Sequence, residues 1–199
     1  MEYRARWLNH AGMMTRHYEV VLHAFDREVQ DGPIRLLEVG VENGGSMEIW
    51  QEILPDGSEV LGIDHDPACG RLGLPVLVGD IMDRPWLKSV LHGKWFDVVI
   101  DSTGTMTHHL WPYLVKGGRM LFENYDPDKI AELSDAVAHG RESWLPTDEI
   151  LKVTVYPHVA VVERSSPRVV PYLEAMVGNF ADVVDEQTLK GMGVRQVVI

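Results

Sequence analysis

Residues 36–46 read LLEVGVENGGS, and they bring two acids, three glycines and a hydroxyl into one short stretch. Glu38 closes an apolar run; Gly40, Gly44 and Gly45 follow, and Ser46 opens a segment with helical spacing. A strand that breaks into glycines and then into a helix is a turn at which backbone can approach a nucleotide-like ligand. The spacing is not G-x-G-x-x-G, so a dinucleotide pyrophosphate is a poor fit. Glu38 and Glu42 put negative charge where that phosphate would sit, which favours a cationic or zwitterionic ligand.

S-adenosylmethionine answers to that description. It carries a sulfonium, an ammonium and a carboxylate, and no phosphate. Gly40 and Gly44 would let the backbone approach it, Ser46 would start the helix behind the turn, and Glu38 would support the amino-acid end. Asp64 ends a second apolar run, in GIDHDP. A carboxylate there accepts both hydroxyls of a ribose. Nicotinamide sites use an acid at the same place, so Asp64 does not separate the two cofactors; the missing glycine fingerprint disfavours a nicotinamide oxidoreductase. Asp80, in VGDIMD, is placed to accept from an adenine amine.

A second group of acids follows. Asp101 ends FDVVID, and Glu123 and Asn124 end RMLFEN. Neighbouring strands would bring these three to the cofactor's edge of the sheet, with Asp101 beside the cofactor itself. Two carboxylates and an amide oxygen are hard ligands suited to Mg²⁺. A dication there would hold two acceptor oxygens and lower a hydroxyl's pKa. His108 and His109 lie close after Asp101 and are candidate general bases; a helix start with one ring solvated and one packed accounts for them equally well. Cys69 has no evident base partner and is expected to be a loop thiol.

The elements that must position these residues follow from hydrophobic period and turn chemistry. Tyr18, Val21, Leu22, Phe25 and Val29 recur at helical spacing over 17–29, and Asp31-Gly32-Pro33 stops that helix. Strands are predicted at 34–39, 59–64, 76–78, 96–101 and after Gly117-Gly118. Helices are predicted from Ser46, as cap, to 54, over 86–91, 108–114 and 127–139, and a closing hairpin pairs 153–156 with 159–162. Alternating strands and helices give an α/β fold, a Rossmann-like, mostly parallel seven-stranded sheet with helices on both faces and a terminal antiparallel hairpin. One domain over 1–199 is expected, its core at about 15–164, with an extension over 165–199 whose apolar helix near 172–177 would pair chains or fold back.

The ordered series E-x-G-x-x-x-G-x-S, I-D-x-D-P, G-D and F-D-x-V-x-D resembles that of the class I S-adenosylmethionine-dependent methyltransferases over about 15–164. Two branches are most similar. The metal-dependent macrolide-sugar O-methyltransferases similarly place a His-Tyr pair in a helix before the first motif, as His17 and Tyr18 stand here, which implies a cofactor role for Tyr18; packing on the apolar helix face accounts for Tyr18 as well. The catechol type ends its second strand similarly to IDHDPAC, and its Asp at the fourth strand and Asp-Asn at the fifth match Asp101 and Glu123-Asn124. That implies the same Mg²⁺ set. There are departures. The sugar branch has Glu-Asp at the fifth strand and I-D-D-G-S-H at the fourth, where this chain has IDSTGTMTH; the catechol branch's Lys after the fourth strand is missing.

Composition bounds the partners. The formal net charge of −12 argues against nucleic acid and anionic membrane surfaces. No apolar stretch has the length of a membrane span or of a secretory signal, and one cysteine permits no internal disulfide. The expectation is a cytoplasmic enzyme that methylates a hydroxyl of a small-molecule acceptor, with a homo-oligomer open. The altered segment 102–107 motivates an alternative, a cofactor-binding or scaffold protein without turnover.

Overall fold

The computed structural model describes Val21 and residues 32–165. Those residues build a seven-stranded sheet from β1 (Arg35–Val39), β2 (Glu59–Asp64), β3 (Val76–Val78), β4 (Phe96–Asp101), β5 (Leu114–Glu123), β6 (Ile150–Tyr156) and β7 (Val159–Arg164). The spatial order is β3-β2-β1-β4-β5-β7-β6. Strands β1 to β5 are parallel, and β7 runs antiparallel to both β5 and β6. The order reverses direction at β1, whose two neighbours are β2 and β4. In open sheets of this kind the ligand crevice lies outside the carboxyl ends of the strands at that switch.

Alternation along the strands divides the core into two layers. Leu37, Val39, Val99, Met120 and Phe122 face one way and pack under α2 (Arg84–Val90), α3 (Pro127–Ala138) and a 3₁₀ segment (His108–Tyr113). Leu36, Val98, Ile100 and Leu121 face the other way, against Trp50, Ile53 and Leu54 at α1 (Gly45–Ile53) and its end, and against the helical Val21. Helices thus cover both faces.

Local chemistry sets the helix starts. Asp83 caps α2 by accepting from the Trp86 N–H at 3.1 Å, and Asp126 caps α3 by accepting from Asp128 N–H at 2.9 Å. Proline in the first turn of each supplies a helical φ without wasting a donor. α1 is different. Its N-cap is Gly44, left-handed at φ 82°, with no side-chain cap, and the Ser46 expected to cap it lies inside the helix. The Ser46 hydroxyl is used elsewhere, as described below. A Cβ on Gly44 would stand 2.5 Å from the Leu74 Cδ1, so φ and space both call for glycine there.

The fifth strand also starts earlier than the sequence pattern indicates. Gly117-Gly118 were expected to open it; instead they lie within it, where pairing jumps from Phe96↔Leu114 to Val98↔Arg119. The glycines mark an irregularity in a strand, not its boundary. The 108–114 helix is a 3₁₀ segment with Pro112 inside, which ends one residue earlier. Helix 17–29 apart from Val21, and the stretch after 165 with its 172–177 helix, lie outside the described residues. Among the described residues no helix is long and apolar enough to cross a membrane.

Candidate active site

The expected acids fall along the carboxyl edge of the sheet. Glu38 is on β1 and Asp64 at the end of β2; Asp80 follows β3; Asp101 ends β4 and Glu123 ends β5. Register then decides which of them meet. Glu38 pairs with Ile100, and Ile100 with Leu121, so Glu38 and Glu123 point to the α1 face. Asp101 pairs with Val39 and Phe122 and points to the opposite face.

Glu38 is buried at 2% exposure beneath the glycine turn. Its Oε1 accepts a short hydrogen bond from the Ser46 hydroxyl, which is why Ser46 does not cap the helix. The Trp50 indole stands close enough to favour the ionised acid. Even so, Oε2 accepts no hydrogen bond of good geometry among the described residues. Burial pushes the carboxyl up to about 8, against the Ser46 hydrogen bond, and the charge of Glu123 adds to the rise. A buried carboxyl with one oxygen lacking a well-placed donor is unusual, since buried polar groups are ordinarily hydrogen-bonded.

The turn itself is braced by Asp64. That buried carboxylate accepts from the Glu42 N–H at 3.0 Å and the Asp66 N–H at 2.8 Å. Burial works against its charge, but these backbone donors outweigh it and hold the group below its usual value. His65 Nδ1 also stands 3.4 Å from the Asp64 Oδ1. Gly40, at φ 91°, takes a conformation that side chains avoid, and a Cβ there would lie 3.2 Å from the Thr103 Cγ2. Asp80 is exposed, and its Oδ1 accepts from the Met82 N–H at 2.8 Å.

Asp101 is fully buried. Its Oδ1 accepts from the Thr103 N–H at 3.0 Å and the Thr103 hydroxyl at 2.6 Å, and its Oδ2 from the Thr105 hydroxyl at 3.4 Å. The two threonine hydroxyls are 2.9 Å apart. Sequence reasoning treated 102–107 only as a departure from the family pattern and missed this network. Its signal was legible as D-x-T-x-T, an acid followed by two hydroxyls at even spacing. Backbone strain gathers at the same edge. Glu42, Met106 and Asn124, after β1, β4 and β5, are non-glycine residues with φ of 50–52°. Each such residue costs about 1–3 kcal/mol and persists only where the surroundings enforce it.

The histidines lie on the β3 side of this edge. His109 Nδ1 is 3.3 Å from the Ile81 carbonyl, next to Asp80, and its ring meets His108 edge-on at 4.5 Å. His108 is exposed and feels the charge of Arg84. Glu123 and Asn124 are on the β5 side, where the Asn124 N–H donates to the His158 carbonyl at 2.9 Å. Tyr18 lies outside the described residues. Among the described residues no group of three or more His, Cys, Asp or Glu side chains gathers as a metal cluster. Cys69 is buried, and its thiol donates to the Glu42 carbonyl at 3.1 Å, a packing role beside the turn.

No family model and no curated protein matches the sequence. Solved structures match the fold. The MycE methyltransferase from the mycinamycin biosynthetic pathway, in complex with Mg and SAH, superposes with a TM-score of 0.60 at 23% identity, over 72% of this chain and 49% of that one. MycE with Mg, SAH and mycinamycin VI gives 0.59 at 24% identity, over 72% and 48%. A ribosomal protein L11 methylase from Lactobacillus delbrueckii subsp. bulgaricus gives 0.52 at 10% identity, over 76% and 79%. The match takes in about half the length of the MycE chain. The fold is that of the class I S-adenosylmethionine-dependent methyltransferases.

Proposed function

We propose that this chain transfers a methyl group from S-adenosylmethionine to a hydroxyl of a small molecule. The observation that carries the proposal is Glu38, a buried, half-satisfied acid under a glycine turn at the switch point of the sheet. The cofactor would supply an electrophilic methyl on its sulfonium sulfur, open to in-line attack by an acceptor oxygen. Toward that ligand, Glu38 ionises against the ammonium, Gly40 admits the backbone close to it, Asp64 meets the ribose hydroxyls, and Asp80 faces the adenine amine. The ligand named in the MycE complexes, SAH, supports this assignment. A screen with labelled S-adenosylmethionine against polyols, catechols and glycosides tests it; no transfer to any of them would favour a non-catalytic cofactor-binding protein. That second reading draws on the threonine hydroxyls that already occupy Asp101.

His108 is the better placed of the two histidines to take the acceptor's proton, because His109 is held against Ile81. Partial burial, His109 and Arg84 keep the His108 ring below the ordinary imidazole range, so it is neutral near pH 7 and able to act as a base. His108→Ala should lower kcat about 100-fold. The acid limb of the pH–rate profile, which in the native protein falls below the usual histidine pKa, should disappear in the variant. An unchanged limb would remove His108 from the reaction.

The Mg²⁺ set fits this arrangement poorly. Asp101 and Glu123 point to opposite faces of the sheet, and the Asp101 oxygens are engaged by Thr103 and Thr105. No step is therefore assigned to a metal. Mg²⁺ held by Asp101, Glu123 and Asn124 stands as a separate proposal, supported by the Mg named in the MycE complexes and tested below with EDTA.

A further inference from the structure

The connection from β4 to β5, residues 102–113, carries no α-helix, the usual element of a parallel crossover. Here it is a loop and the 3₁₀ segment interrupted by Pro112. Beside it, α2 has only seven residues. The space between them is an open groove of about 390 Å³, within the range of small-molecule sites. Its lining is unlike the rest of this acidic protein. Arg84, Lys88, Lys94 and His109 contribute to it, and among the described residues no Asp or Glu does. Trp95, 53% exposed, stands at one end, and Tyr113 is in the wall.

Arg84 and Lys88 are four residues apart and therefore share one face of α2, while Lys94 and Trp95 follow the helix end. Cations at both ends of a short groove, with a large flat indole beside one of them, match a ligand that carries several negative charges and a planar ring. In a chain of net charge −12, a cluster of Arg84, Lys88 and Lys94 along one wall concentrates positive potential where a concave surface focuses it. Arginine and lysine together suit phosphate oxygens, and an exposed indole suits a base or aryl face.

We propose that this groove is a second binding site, separate from the cofactor crevice, for a small phosphate-bearing molecule with a planar ring, such as a nucleoside diphosphate. The phosphates lie along Arg84 and Lys88, and the ring stacks on Trp95. The site does not depend on the methyltransferase proposal, since none of the cofactor residues lines it.

Calorimetric titration with uridine diphosphate tests it, because that probe has no adenosine to compete for the crevice; S-adenosylhomocysteine is present throughout, and inorganic pyrophosphate is titrated in parallel. One-to-one binding in the micromolar range is expected, weakened at least tenfold by Lys88→Glu and by 200 mM salt. Trp95→Ala should bring the affinity down to that of pyrophosphate. Lys88 and Trp95 are exposed, so both variants should keep the native melting temperature, and Glu38→Gln should leave this binding unchanged. No binding at millimolar uridine diphosphate, or undiminished binding in Lys88→Glu, would overturn the site. Equal affinity for pyrophosphate and uridine diphosphate in the native protein would overturn the ring-stacking half.

Discussion

Glu38→Gln should weaken S-adenosylmethionine binding by about 10- to 100-fold while making the ligand-free protein more stable above neutral pH. Loss of affinity follows because glutamine cannot ionise against the ligand's ammonium, and a hydrogen bond to a charged group contributes about 1.5–3 kcal/mol. The gain in stability follows from linkage. Burial raises the Glu38 carboxyl from the ordinary 4.5 to about 8 in the folded chain. A group whose pKa is raised by folding contributes stability that is fully present below the unfolded value and is lost as pH rises through the folded one. Between pH 4.5 and 8 the native protein should therefore lose up to about 5 kcal/mol from this group, at 1.36 kcal/mol per unit. Glutamine keeps the shape and cannot ionise, so its denaturant midpoint should be nearly flat over that window. Above pH 8 the variant should outlast the native protein, and a native-like pH slope in Glu38→Gln would contradict the assignment. The two effects have opposite signs, which separates a ligand-binding acid from an acid kept for packing.

Asp101→Ala should cost both stability and turnover. The buried carboxylate accepts from the Thr103 N–H and from two threonine hydroxyls of exposed residues; removing it leaves the loop 102–107 without its anchor, at about 1–3 kcal/mol. That loop touches the turn, because Thr103 lies against Gly40. Methyl transfer should therefore fall at least 100-fold. EDTA decides what Asp101 does. If it organises the loop, EDTA leaves the native rate unchanged while Asp101→Ala abolishes it. If Asp101, Glu123 and Asn124 hold Mg²⁺, EDTA mimics the mutation and added Mg²⁺ restores the rate.

Much of the sheet was legible because its strands are short apolar runs between strong turn signals. Strands β2, β3 and β4 lie at 59–64, 76–78 and 96–101, as the pattern indicates. β5 escaped because Gly117-Gly118 carry the same signature as a strand boundary, and only pairing reveals an irregularity within a strand. The site was legible as a list of acids at strand ends, each visible where an apolar run stops. Which acids meet was not. That depends on register, where one residue of offset turns Asp101 and Glu123 to opposite faces and joins Glu123 to Glu38. Ser46 makes the same point at shorter range: its type and position suit a cap, but a buried carboxylate from β1 competes for the hydroxyl and wins. The place of His109 beside Ile81 rests on a contact 28 residues apart in sequence, which no local pattern encodes.

The proposed function requires that the turn after β1 hold S-adenosylmethionine through Glu38. Calorimetry with S-adenosylhomocysteine, run on the native chain and on Glu38→Gln, tests it most directly. Single-site binding in the micromolar range, weakened at least tenfold in the variant, is the predicted result. An absence of binding at millimolar ligand, or equal affinity in the two proteins, would contradict it.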